Sequence, residues 1–355
     1  MFGFHIIYIL LALFILLMIV TFFVIFLLIT RVIINRRQKK QIAFENAWRE
    51  NIFEYLYSEQ EPNELIDRIP ASKYVYLLGF LRDFLLNLKG NDLDKLARLF
   101  TDTSLKKYLI KRAGSISKKK KNEAIYFLKY VNDDSVKILL KKFLASKNEL
   151  IFRTTVESLS YLNETDIIDR IFEFFAGKKQ FNIDGALSML VKFDRSICPI
   201  LTNMLGTKKS NDILHVIIMI LRHHRYAEAI DKLLPIMINS GHKDVIIESI
   251  KYLGEIKDPD SINTLRYFLA QSKPAVSVAA IEAASKIGHG FLEDIIISKL
   301  DDRNLEVKIA AARAMSTYSP NSRAKLLELS RQNSKNENVI IAKRITIENS
   351  ILTND

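Results

Sequence analysis

The residues able to do chemistry are few, and their spacing does not suit it. His223 and His224 are adjacent, so on a helix they point in different directions, and His215 precedes His223 by eight residues rather than the four that pair two imidazoles on one metal. Cys198 is the sole cysteine. It is followed by Pro199, has no second cysteine three residues away and no histidine at a recognisable spacing, and so reads as a buried thiol rather than a nucleophile. One cysteine also excludes an internal disulfide framework and a zinc site built from four cysteines or from two cysteines and two histidines.

Gly206-Thr-Lys-Lys-Ser210 resembles a phosphate loop only superficially. Aligning Lys209-Ser210 with that motif puts Asn203 and Lys208 where both of its glycines belong. Asp301-Asp302 and the pair Asp258/Asp260 fall at turns and first helical turns, where carboxylates cap free N–H groups. No catalytic, cofactor-binding or metal-binding residue is assigned, and the expectation is a non-enzymatic protein without a cofactor.

The elements that would carry any site are helices. Of 355 residues, 49% are hydrophobic, and only 11 are Gly and 7 Pro. That is too few chain breakers for a sandwich or barrel, which turns every 8–12 residues or so. From Met1 to Thr30 no residue is charged, and Phe, Ile, Leu and Val fill nearly every position. The run exceeds the roughly 20 apolar residues of a membrane span and lacks the leading charge and small-residue cleavage site of a signal peptide. Arg31, Arg36, Arg37, Lys39 and Lys40 follow it at once, with no acid among residues 1–40. By the positive-inside bias they predict a single-pass protein of the cytoplasmic membrane, its N-terminus outside and the rest of the chain in the cytoplasm.

Beyond the span the chain repeats itself every 31 residues. Val276, Ala280, Ala283, Ala284 and Ile287 recur as Val307, Ala311, Ala314, Met315 and Tyr318, and backward steps reach Val245, Ser249, Tyr252, Leu253 and Ile256. Further steps reach Leu214, Ile183, Phe152 and finally Lys121, giving seven units in one phase without an insertion. The shared offsets fall on one face of a 3.6-residue helix. Between copies lies a second helical segment, clearest at Asp258–Leu269, where Pro259 stands in the first turn. Each unit is thus a helical hairpin that must stack on its neighbours to bury its apolar face.

This pattern resembles the HEAT-repeat family in its short bacterial form, whose second helix reads Val-Arg-x-x-Ala-x-x-Ala-Leu-Gly. Residues 276–288 match with Ser277 for the Arg and Ser285 for the Gly; Lys308 and Phe152-Arg153 keep the basic position in other copies. The resemblance implies an all-α chain: a transmembrane helix followed by a right-handed α-solenoid of about seven hairpins. The segments are an anchor at 1–30, a basic juxtamembrane stretch at 31–40, an N-terminal helical cap at 41–120, the repeats at 121–330 and a C-terminal helix and tail at 331–355. It further implies a scaffold for a protein partner. Arrays on a single anchor look like accessory subunits of envelope or polysaccharide-synthesis machinery, with a membrane glycosyltransferase as one such partner. A minority of relatives bind nucleic acid or act as lyases, so a tethered nucleic-acid binder and a lyase-type enzyme are the alternatives.

Two surfaces carry the functional expectation. Between Lys106 and Lys121 stand eight bases and no acid. Lys118, Lys119, Lys120 and Lys121 join the residues flanking the span as candidates for contact with anionic lipid headgroups. Nucleic acid fits less well, since no aromatics interleave these bases and the later repeats offer only isolated ones such as Lys192, Lys251 and Arg313. The second surface is an apolar stripe at offsets +2 and +5, opposite the packing face: Val216, Met219, Ile247, Ile250, Val278 and Ile281 are expected to bind the partner from the concave side.

Overall fold

The computed structural model describes residues 2–101, 103–178, 180–207, 209–270 and 273–352; Met1, Lys208 and 353–355 lie outside the described residues. It is all-α, with no strand among those residues. The chain divides into two compact units, Met1–Ser158 and Leu159–Asp355.

The first unit begins with one continuous helix, Phe2–Tyr57. Every large apolar side chain from Leu13 to Ile34 is exposed, whereas Phe44, Ile52, Tyr55 and Leu56 are buried. One helix thus has two different halves. The second half packs along Tyr74–Asn87, which runs in the same direction, as Phe44 meets Tyr76 and Phe53 meets Phe84 at ring distances of 6.3 and 5.6 Å. Tyr55 donates to the Lys95 carbonyl at 2.9 Å and pins the short helix Asn91–Arg98 alongside.

Hairpins start earlier than the 121 boundary, because Ser104–Ala113 packs antiparallel on Lys118–Leu128. Asp133 then caps Asp134–Phe143 by accepting from the Ser135 and Val136 amides. The next inner helix begins at Glu149, and Ser158 donates to the Ile125 carbonyl at 2.9 Å. Such bonds between consecutive inner helices fix the stacking register.

In the second unit the inner helices Ile183–Leu190, Asn211–His223, Lys243–Ile256, Pro274–Ile287 and Leu305–Tyr318 pack side by side in chain order, and Glu337–Leu352 follows the last of them. The outer helices between them include Cys198–Leu205, Ile230–Asn239, Ile262–Ala270 and Pro320–Arg331. The predicted packing face is the core: Val245, Ser249, Tyr252 and Leu253, then Val276, Ala280, Ala283 and Ala284, then Val307, Ala311, Ala314 and Met315 are all buried.

The backbone marks four of the units a second time. Asn163, Arg225, Lys257 and Gly288 all have left-handed φ, of 56°, 48°, 59° and 70°, at the turn that leaves an inner helix. The interval between Arg225 and Lys257 is 32 residues, not 31, so the single phase read from the sequence slips by one between these two copies. The caps agree, since the inner helices begin after Ser210, His242, Lys273 and Asn304.

Candidate protein-binding groove

An inner helix is covered on three sides, by its outer helix and by the inner helices before and after it. Only a narrow strip stays open. At 100° per residue, offset +2 lies about 175° from the centre of the packing face, +9 about 155°, +6 about 145° and +5 only about 115°. The open strip is therefore centred on +2 and +6, while +5 falls on a flank that the neighbouring inner helix covers, as does +9 at Gly254.

The structure corrects the expected stripe on these grounds. Ile250 and Ile281, at +5, are fully buried. Val216 is also buried, because the 32-residue step turns its helix by one position and brings His215 and Met219 to the half-buried sites. Ile247 and Val278, both at +2, are half-buried and line an open groove, joined there by Ile309. Of the six proposed partner residues, two lie in one groove, three belong to the core, and Met219 stands apart.

The groove has a volume of about 730 Å³ and crosses three inner helices, Lys243–Ile256, Pro274–Ile287 and Leu305–Tyr318. Its apolar row is Ile247, Val278 and Ile309. One turn further along each helix stand the exposed Lys251, Glu282 and Arg313, with Ala279 and Ala310 between the rows. Glu282 was missed in the sequence because it matches no motif; its signal is the +6 offset it shares with two bases. A second cavity of about 460 Å³, lined by Leu305, Ile309, Arg313, Ile340, Ile341 and Arg344, extends the surface onto the last helix.

The groove's charges are held from its rim. Arg222 donates from Nε to Glu248 Oε1 at 2.6 Å, and Lys251 Nζ lies 3.9 Å from the other oxygen of that buried carboxylate. The hydrogen bond from Lys286 holds the Glu255 carboxyl below the usual carboxylate range. Arg344 does the same for Glu348, which also lies 3.6 Å from Arg313. Glu282 has no ion-pair partner within 4.0 Å among the described residues.

The candidate chemical residues lie elsewhere. The ring centroids of His223 and His224 are 5.0 Å apart and nearly perpendicular, and burial, followed by the charge of His223, lowers the pKa of His224. Cys198 is fully buried, which pushes its thiol up to about 11. Among the described residues no group of three or more His, Cys, Asp or Glu could hold a metal ion.

Arg31, Arg36, Arg37, Lys39 and Lys40 are exposed along the first helix. Lys118, Lys119 and Lys120 are exposed too, beside the fully exposed Ile116, while Lys121 is half-buried with Nζ 5.6 Å from the Phe143 ring. Arg112 and Arg82 both reach Glu123, at 2.5 and 3.5 Å, which sets this turn level with the Phe53–Phe84 contact. At 1.5 Å per residue, that level is about 20 Å beyond Lys40 along the first helix.

Stacked two-helix units of this kind define a HEAT-like repeat protein. Residues 230–294 match the family model described as HEAT repeats, a stretch that holds two of the three groove helices whole. No curated protein matches the chain. Among solved structures, YibA of Escherichia coli is 17% identical, with 70% of this chain and 97% of that one covered and a TM-score of 0.38. Human deoxyhypusine hydroxylase in complex with glycerol is 15% identical, with 76% and 95% covered and a TM-score of 0.31.

Proposed function

We propose that the chain is a membrane-anchored, non-enzymatic scaffold that holds a protein partner in the groove lined by Ile247, Val278 and Ile309. One observation carries this reading. These apolar side chains are half-buried and line an open groove across three consecutive repeats, and an apolar row of this kind fits a partner surface.

The anchor rests on a magnitude. The apolar window of the first helix has none of its residues buried. Leaving the side chains from Leu13 to Ile34 in water would cost roughly 1.5 kcal/mol or more each, tens of kcal/mol in total. At 1.5 Å per residue that segment runs about 33 Å, against a hydrocarbon core of about 30 Å. Thr21 and Thr30 donate their hydroxyls back to the Leu17 and Phe26 carbonyls at 2.8 Å, so neither needs water. Arg31 near the end of the segment and Arg36, Arg37, Lys39 and Lys40 after it favour a cytoplasmic location for the repeats, where a membrane glycosyltransferase of envelope machinery is one partner within reach.

The test is purification in mild detergent at native expression. Wild type is expected to retain a stoichiometric partner, and Val278→Glu and Ile309→Glu to lose it while keeping the same melting temperature. Recovery of the wild type alone, or full retention by both variants, contradicts the reading.

A further inference from the structure

The two rows of the groove have a spacing that selects what can lie in it. Ile247, Val278 and Ile309 occupy equivalent places on three stacked inner helices, and so do Lys251, Glu282 and Arg313. Packed helices sit about 8–10 Å apart, so each row presents a side chain at that interval. Within one helix the rows are four residues apart, about 6 Å.

An extended segment covers about 10 Å in three residues, but residues three apart in a strand point to opposite faces, so it would meet a row only at every second step. An α-helix advances about 10.5 Å in seven residues and returns to nearly the same face. It also carries an apolar stripe beside a charged flank, at a lateral offset that suits about 6 Å. The charged row alternates in sign as base, acid, base. Glu282 stands between Lys251 and Arg313 without pairing to either.

We infer that the partner's contact segment is an amphipathic helix lying across the three inner helices, with acid, base and acid at seven-residue intervals beside its apolar stripe. This rests on the groove being the partner site. The outer acids face Lys251 and Arg313, and the central base faces Glu282. Because the pattern reads the same from both ends, it leaves the direction of the bound helix open.

Two synthetic helical peptides of about three heptads test it. They share one apolar stripe and, through one compensating base or acid on the far face, one composition, but their flanks read acid-base-acid or base-acid-base. Binding is measured by fluorescence anisotropy against the full chain in detergent micelles. The acid-base-acid peptide is expected to bind roughly tenfold tighter, as three exposed ion pairs of modest strength replace three like-charge contacts. Glu282→Lys, at an exposed position, should shrink that preference and make a peptide with three acids the tightest binder, and Lys251→Glu should shift it at the outer site.

Equal affinity for the two peptides, no binding by either, or an unchanged preference in both variants overturns the inference. The partner-site reading fails separately. If wild type retains a partner that Val278→Glu loses, yet shows no peptide preference, only the helical register is wrong.

Discussion

Gly254 lies so close to Ala283 that a Cβ at this glycine would come 2.8 Å from the Ala283 Cα. Such a contact requires backbone to move, since it is shorter than real Cβ atoms show. The two residues belong to adjacent inner helices, Lys243–Ile256 and Pro274–Ile287, and their closeness sets the distance between Ile247 and Val278 above them. Gly254 also occupies the offset at which the short HEAT pattern carries its glycine, so the family's small residue has a local physical reason here.

Gly254→Val should therefore destabilise the second unit by about 1–3 kcal/mol through overpacking. Thermal melts in detergent read this directly. Ala283→Gly made in the same chain should recover part of the loss, as coupled neighbours do. A change within about 0.5 kcal/mol would mean that the helices separate without cost.

Arg222 is the principal partner of a carboxylate whose side chain is only 5% exposed. Arg222→Ala leaves Glu248 with the more distant Lys251 at 3.9 Å and should cost about 3 kcal/mol. Arg313→Ala breaks an ion pair with Glu348 that is open to water, and should change stability by less than about 0.5 kcal/mol. Denaturant titration of both variants checks the contrast; equal effects would contradict it.

Acid should weaken the fold. Asp133 is held low first by its hydrogen bond from Lys106, Asp194 by Ser196, Glu255 by Lys286 and Glu348 by Arg344. A carboxyl whose folded pKa lies below its unfolded value adds stability that is present above the unfolded pKa, about 4, and lost as pH falls through the folded one. Melting temperature should thus be flat between about pH 6 and 8 as far as these groups go, and drop below about pH 4. Greater stability in acid than at neutrality would reverse the assigned sign.

The first helix predicts behaviour during fractionation. Expressed chain should sediment with membranes and stay there after an alkaline carbonate wash, then dissolve in detergent. Release by the wash would mean that Leu13–Ile34 is covered by protein rather than lipid.

The sequence made the helices and their order plain because burial there is periodic. Val276, Ala280, Ala283 and Ala284 recur with the period of a packed face, and a helix that repeats such a face must stack. The groove was only partly legible. A helical wheel shows which side is far from one partner, but an inner helix has three, so Ile250 and Ile281 fell on a covered flank and Ile247 and Val278 did not. The buried Val216 follows from a one-residue slip that apolar positions alone conceal, since Leu214 and Ile213 are both apolar. The positive φ of Arg225 and Lys257 exposes it, and neither residue type announces that conformation.

Photocrosslinking from the groove tests the central claim most directly. A photoreactive residue placed at Val278, in the membranes of cells expressing the chain at native level, should yield one discrete adduct with another protein. That adduct should vanish when Ile309 is also changed to Glu. The same residue at Tyr267, exposed on an outer helix, should give none. Adducts of equal yield from Tyr267, or none from Val278, would contradict a partner seated on the inner row.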